Sequence, residues 1–169
     1  SNSFTITNAT NWVTLTKYGD GSPLSGATFK LQRQDSGVWV DVVGSEKITD
    51  TDGVLSYFGL AAGSYRMVET AVPQGSNFII NDQWPTFTVA DGGSDTPGLV
   101  SPSQLRHDNY TGTITFTKID SRRGTGMPLS GATFSLMYAD APNTVVGTAT
   151  SDLDGKVTFT NVQPGIDYI

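Results

Sequence analysis

Pro23-Leu24-Ser25-Gly26-Ala27-Thr28-Phe29 recurs unchanged as Pro128-Leu129-Ser130-Gly131-Ala132-Thr133-Phe134. A lysine closes an alternating segment before each copy, Thr14-Leu15-Thr16-Lys17 and Thr115-Phe116-Thr117-Lys118. A repeat of about a hundred residues marks an array of similar domains. Outward from the first copy, short runs are separated by turn signals. The runs are Trp12 to Lys17, Ala27 to Arg33, Val38 to Val43, Val54 to Phe58, Ser64 to Thr70, Phe78 to Ile80, Thr86 to Ala90 and Leu99 to Asn109. Asp35-Ser36-Gly37 and Asp50-Thr51-Asp52-Gly53 are tight-turn signals between them. Strands at such spacing predict a β-sandwich.

The second copy follows the same order through Thr113 to Lys118, Ala132 to Tyr138, Thr144 to Ala149, Asp152-Leu153-Asp154-Gly155 and Val157 to Phe159. Gly165-Ile166-Asp167-Tyr168 then matches Gly63-Ser64-Tyr65 with one extra residue, so the second repeat is expected to be incomplete. The spacing from Asn8 to Lys17 equals that from Asn109 to Lys118, which makes Phe4 to Asn8 a candidate closing strand of an earlier repeat. The expected organisation is a closing-strand relic or linker over 1–10, a complete domain over 11–110, and the first part of a second over 111–169.

Composition narrows the function. The 169 residues carry a net charge of −6 and no basic patch, which argues against nucleic-acid binding. No apolar run is long enough to cross a bilayer, so no membrane insertion is expected in this segment. There is no cysteine, which excludes thiol catalysis, cysteine-based zinc sites and disulfides. The only histidine is His107, read by itself as a strand surface residue.

Lys17, Leu24-Ser25-Gly26-Ala27-Thr28-Phe29, Asp52-Gly53 and the run Gly63-Ser64-Tyr65-Arg66-Met67-Val68-Glu69-Thr70-Ala71-Val72-Pro73-Gln74-Gly75 together carry a family pattern. The chain resembles CnaB-type domain repeats, the prealbumin-like, SpaA-type pilin domains of Gram-positive surface adhesins and pilins. The resemblance implies an all-β fold of tandem immunoglobulin-like or prealbumin-like sandwiches, the second incomplete. It also implies an intramolecular isopeptide bond between a first-strand lysine and a last-strand Asn or Asp, promoted by a middle-strand glutamate. Carried over, Lys17 is the nucleophile, Glu69 the promoter and Asn109 the electrophile, with Asp108 as the alternative to Asn109. Lys118 is the equivalent lysine of the second repeat and is expected to stay unreacted. Ser76 departs from the tyrosine usual after Pro-x-Gly, outside the reacting groups.

The chemistry stands on its own terms. Burial drives an amine toward its neutral, nucleophilic form and a carboxyl toward its protonated form. A neutral Glu69 could donate to the Asn109 side-chain oxygen and pass protons to departing ammonia. The fold supplies the proximity. The event occurs once per molecule, so the chain is not expected to be an enzyme in the turnover sense. Taken singly, the residues have plainer readings: a solvated edge lysine, a surface carboxylate and a turn asparagine.

The expected function is a structural stalk or spacer module of a cell-wall-anchored adhesin or pilin, at the bacterial cell surface. Its partners would be neighbouring repeats of the same polypeptide. The alternative is a ligand-binding adhesin domain recognising a host matrix protein or glycan, for which Trp12, Trp39 and Trp84 are candidate contacts. No cofactor and no metal is expected: Asp50 to Gly53 and Asp152 to Gly155 read as hairpin turns rather than calcium loops.

Overall fold

The computed structural model describes residues 10–92, 96–120 and 126–169. The candidate strand at Phe4 to Asn8 lies outside them. Every regular element among the described residues is a strand, and the chain divides into two compact units. One comprises Ser1–Ser76 with Ile80–Tyr110, the other Asn77–Ile79 with Thr111–Ile169.

The first unit contains β1 (Trp12–Gly19), β2 (Ser22–Pro23), β3 (Thr28–Asp35), β4 (Val38–Asp41), β5 (Lys47–Ile48), β6 (Val54–Phe58), β7 (Gly63–Ala71), β8 (Thr86–Val89), β9 (Val100–Ser101) and β10 (Gln104–Asn109). One sheet has β10, β1 and β2 in order, with β6 also paired to β1. The second runs β4-β3-β7-β8-β9, with β5 also paired to β3. The first and last strands, β1 and β10, lie side by side and parallel, Lys17 opposite His107 and Gly19 opposite Asn109. Period-two alternation sends Val13, Leu15, Phe29, Leu31, Leu55, Tyr57, Tyr65, Met67, Phe87, Val89 and Leu105 into one shared core. This is the predicted sandwich.

Two expected strands differ. Phe78 to Ile80 is not a strand. Its three apolar residues fit strand propensity, but no ladder forms there, and propensity yields to the absence of a partner. Leu99 to Asn109 is broken at Pro102, which has no N–H to give a ladder. The break lets the chain change sheets: β9 pairs with β8, and β10 pairs with β1.

The second unit holds β11 (Gly112–Thr117), β12 (Ile119–Asp120), β13 (Met127–Pro128), β14 (Thr133–Tyr138), β15 (Ala141–Thr150) and β16 (Lys156–Val162). Its registers repeat those of the first. Thr117 faces Lys156 as Thr16 faces Val54, and Tyr138 bridges Tyr168 as Arg33 pairs with Tyr65. The last pairing gives physical meaning to the one-residue offset read from the sequence. Leu136, Val157, Phe159 and Val162 form its core, while Phe116, the counterpart of Leu15, is 38% exposed.

The duplicated heptapeptide is a latch. In the first unit Ala27 N donates to Thr49 Oγ1 at 3.0 Å, and Thr49 Oγ1 donates to Leu24 O at 2.8 Å. In the second, Ala132 N donates to Ser151 Oγ at 2.9 Å, and that hydroxyl donates to Leu129 O at 2.7 Å. The latch holds each lysine's backbone. Lys17 N donates to Gly53 O at 2.7 Å and Leu24 N to Lys17 O at 2.9 Å; Lys118 N donates to Gly155 O at 2.7 Å and Leu129 N to Lys118 O at 2.9 Å.

Candidate functional site

The site is the polar end of three apolar stripes. Inward positions run Val13, Leu15, Lys17 along β1; Tyr65, Met67, Glu69 along β7; and Leu105, His107, Asn109 along β10. β1 and β10 are neighbours in one sheet and β7 belongs to the other, so the carboxyl reaches the pair from across the core. Lys17 and Asn109 are 0% exposed, and Glu69 and His107 each 2%.

Glu69 Oε1 is where the groups meet. Asn109 Nδ2 donates to it at 2.8 Å, and Lys17 Nζ lies 3.6 Å from it. Asp108 points the other way, accepting from Arg106 Nε at 2.7 Å and Nη2 at 2.6 Å, and those bonds hold its carboxyl below its ordinary range. Lys118 is only half-buried.

The hydrogen bond between Glu69 and Asn109 differs from the expected one. The amide nitrogen donates to the carboxyl, and Asn109 Oδ1 and Glu69 Oε2 are buried without hydrogen-bond partners. Two orphaned buried oxygens are costly. A half-turn of the amide would bring Oδ1 against Oε1, where a protonated Glu69 can donate to it.

Burial supplies that proton's preference. It pushes the Lys17 amine from 10.5 down to about 8, against the opposing pull of Glu69. It also raises the Glu69 carboxyl, against Lys17 and the Asn109 hydrogen bond. Both directions favour an uncharged amine beside an uncharged acid. At pH 7 about one amine in ten with a pKa near 8 is neutral, against about one in three thousand for an ordinary lysine.

Reading His107 by itself missed its place in the site. Expected at the surface, it is buried because it shares β10's inward face with Leu105 and Asn109. Its Nδ1 lies 3.0 Å from Lys17 Nζ and its Nε2 3.0 Å from Asn81 O. Trp84 stacks on the ring at 5.9 Å and Phe29 meets it edge-on at 5.4 Å. Burial, aided by the Lys17 charge, lowers its pKa to about 4. Period-two alternation from Leu105 through His107 to Asn109 was the signal that could have found it.

The two Asp-x-Asp-Gly candidates take structural roles. Asp50 Oδ1 accepts from Asp52 N and Val54 N, and Asp152 Oδ1 from Asp154 N and Lys156 N, so both carboxylates cap hairpin turns. Among the described residues no group of three or more His, Asp or Glu is placed to hold a metal ion. Trp84 packs on His107, Arg66 lies over the Trp39 ring at 4.7 Å, and Trp12 is 44% exposed on β1, apart from the pocket that Trp39 and Trp84 line.

A family described as the SpaA prealbumin-like fold domain matches residues 11–97 and 112–169. The chain matches no curated protein sequence at a significant level. Among solved structures it is similar to the streptococcal ancillary pilin, at 22% identity and TM-score 0.49, covering 95% of this chain and 53% of that one. It is similar to the Bacillus anthracis TIE protein at 18% identity and TM-score 0.44, covering 89% of this chain and 26% of that one. A variant of the shaft pilin SpaA from Lactobacillus rhamnosus GG is 19% identical at TM-score 0.45, over 95% of this chain and 86% of that one. The chain thus spans about half of the first of these structures and about a quarter of the second.

Proposed function

Because the chain belongs to the SpaA prealbumin-like fold domain family, we propose that it is a stalk or spacer module of a Gram-positive cell-wall-anchored adhesin or pilin, locked by a Lys17–Asn109 isopeptide bond. Residues 11–110 are the cross-linkable module. The carrying observation is the convergence of Lys17 Nζ and Asn109 Nδ2 on one buried Glu69 oxygen.

The test is intact mass. The protein should weigh one ammonia less than its sequence, and Lys17→Ala protein should match its sequence. Fragmentation should locate a branched peptide joining Lys17 to Asn109. A wild-type mass equal to the sequence mass removes the bond from this reading.

The rate of bond formation should follow the proton count of the Lys17–Glu69 pair. The reactive form, neutral amine with protonated acid, carries one proton, the same number as ammonium with carboxylate. The rate is therefore expected to be flat near neutrality. It should fall as pH rises past about 8, where the pair loses its last proton. It should also fall in acid, where the pair gains a second, at a pH above the ordinary carboxylate range because burial raises Glu69. Chain recovered unfolded from inclusion bodies, refolded at fixed pH and sampled by mass gives the profile. A rate that keeps rising tenfold per pH unit beyond 9 would contradict it.

A further inference from the structure

Cross-linking needs more proton traffic than one carboxyl in contact with the amide. The attacking Nζ must lose a proton, and the leaving Nδ2 must gain one. Glu69 Oε1 is 2.8 Å from Nδ2 but 3.6 Å from Nζ, long for a hydrogen bond. The atom within hydrogen-bond distance of Nζ is His107 Nδ1, at 3.0 Å.

The tautomer is fixed from the far side of the ring. Asn81 O is an acceptor, so Nε2 must carry the hydrogen it receives. A neutral ring then leaves Nδ1 with a free lone pair aimed at Lys17. That same Nδ1 lies 3.8 Å from Glu69 Oε2, the carboxyl oxygen without a hydrogen-bond partner. Nζ, Nδ1, Oε2, Oε1 and Nδ2 therefore line up from nucleophile to leaving group, and the 3.8 Å between Nδ1 and Oε2 is the one gap that ring and carboxyl must close for a proton to cross.

We propose that His107 accepts the proton of the attacking Lys17 amine and that His107 and Glu69 act as a two-station relay in isopeptide formation. This rests on the cross-link reading and extends it to a fourth residue. As the Nζ lone pair bonds to Asn109 Cγ, the carbonyl electron pair moves to Oδ1. Nζ, made acidic by its new bond, gives a proton to His107 Nδ1. The Cγ–Nδ2 bond then breaks, Nδ2 keeps the electron pair, and Glu69 supplies the proton that makes it ammonia. Imidazolium Nδ1 returns its proton to Oε2. The balance is one amine plus one carboxamide giving one secondary amide plus ammonia, with His107 and Glu69 restored. The groups facing the ring are Lys17, Glu69, Asn81, Trp84 and Phe29, and Asp108 and Arg106 adjoin it on β10. Burial keeps the ring neutral until about pH 4, so the lone pair is available at neutral pH.

Two variants separate proton transfer from packing. His107→Asn keeps a hydrogen-bond acceptor near the Nδ1 position but takes no proton; His107→Phe keeps the stacking face and has neither. Each is refolded from denaturant at pH 7, and ammonia loss is followed by intact mass, with folding checked by circular dichroism. Both should cross-link roughly 10²-fold more slowly than wild type, the usual worth of a general base. A wild-type rate in either variant overturns the relay while leaving the bond intact. A wild-type chain that loses no ammonia overturns the bond itself, a different result. Should neither variant fold, nitrogen-15 spectra of unreacted Asn109→Ala protein decide: hydrogen on Nε2 is expected, and hydrogen on Nδ1 at neutral pH ends the proposal.

Discussion

Asn109→Ala protein should melt about 16 to 40 °C below wild type. The substitution removes an amide that would close the long loop between Lys17 and Asn109. A cross-link around a loop approaching a hundred residues is worth about 4 to 5 kcal/mol on the chain-entropy argument. In a domain of this size each kcal/mol moves the midpoint by about 4 to 8 °C. The side chain's own hydrogen bond to Glu69 adds only about 1 kcal/mol. Lys17→Ala should lose as much, and the double variant far less than the two losses added, because both remove one bond. Scanning calorimetry in the presence and absence of reductant checks this, and reductant should change nothing. A midpoint within a few degrees of wild type, or fully additive losses, would sink the stabilising role.

The bond's position also decides how load would pass. β1 and β10 are parallel neighbours, and Lys17 and Asn109 lie toward the C-terminal end of each strand. Tension entering at Trp12 would reach Lys17, cross to Asn109 and leave along the chain. The strands from β2 to β9 would then be bypassed and need not unzip. With the proposed bond formed, a chain without cysteine would carry tension through a link that no reductant opens.

Much of this was legible because alternation is geometric. Val13-Leu15-Lys17 and Tyr65-Met67-Glu69 each continue an apolar stripe with one charge, and an inward charge at the end of a stripe is a poor accident. The same alternation sets His107 and Asn109 on Leu105's inward face, whereas judging His107 as a lone polar residue put it at the surface. Other features left no local trace. The parallel pairing of β1 with β10 joins segments far apart in sequence, and no nearby residue encodes it. The latch needs only a hydroxyl, which is Thr49 in one unit and Ser151 in the other, so no repeated letter announces it. Phe78 to Ile80 has strand composition but no neighbour to pair with, and composition does not supply neighbours.

Gly53→Ala should cost the first unit about 2 to 6 kcal/mol and slow cross-linking roughly a hundredfold. Gly53 has φ +72°, in the left-handed region, and a Cβ there would come within 2.5 Å of Lys17 O and 2.8 Å of Leu24 N. Those two atoms are themselves hydrogen-bonded, and Gly53 O accepts from Lys17 N. The methyl therefore cannot be accommodated by a side-chain shift; it must push apart the backbone that seats the lysine. Left-handed strain and overpacking are each worth about 1 to 3 kcal/mol. A displacement of about 1 Å in a reacting group can cost 10²-fold in rate. Gly44 isolates the clash, since it has the same φ of +72° and no atom within 4 Å of its Cβ. Gly44→Ala should therefore show the conformational penalty alone, about 1 kcal/mol, and cross-link at the wild-type rate. Gly155→Ala meets Lys118 O and Leu129 N in the second unit, and should destabilise that unit without touching the Lys17 reaction. Urea unfolding with parallel mass measurement reads both effects. If Gly53→Ala behaves as Gly44→Ala does, the backbone cradle does not position Lys17.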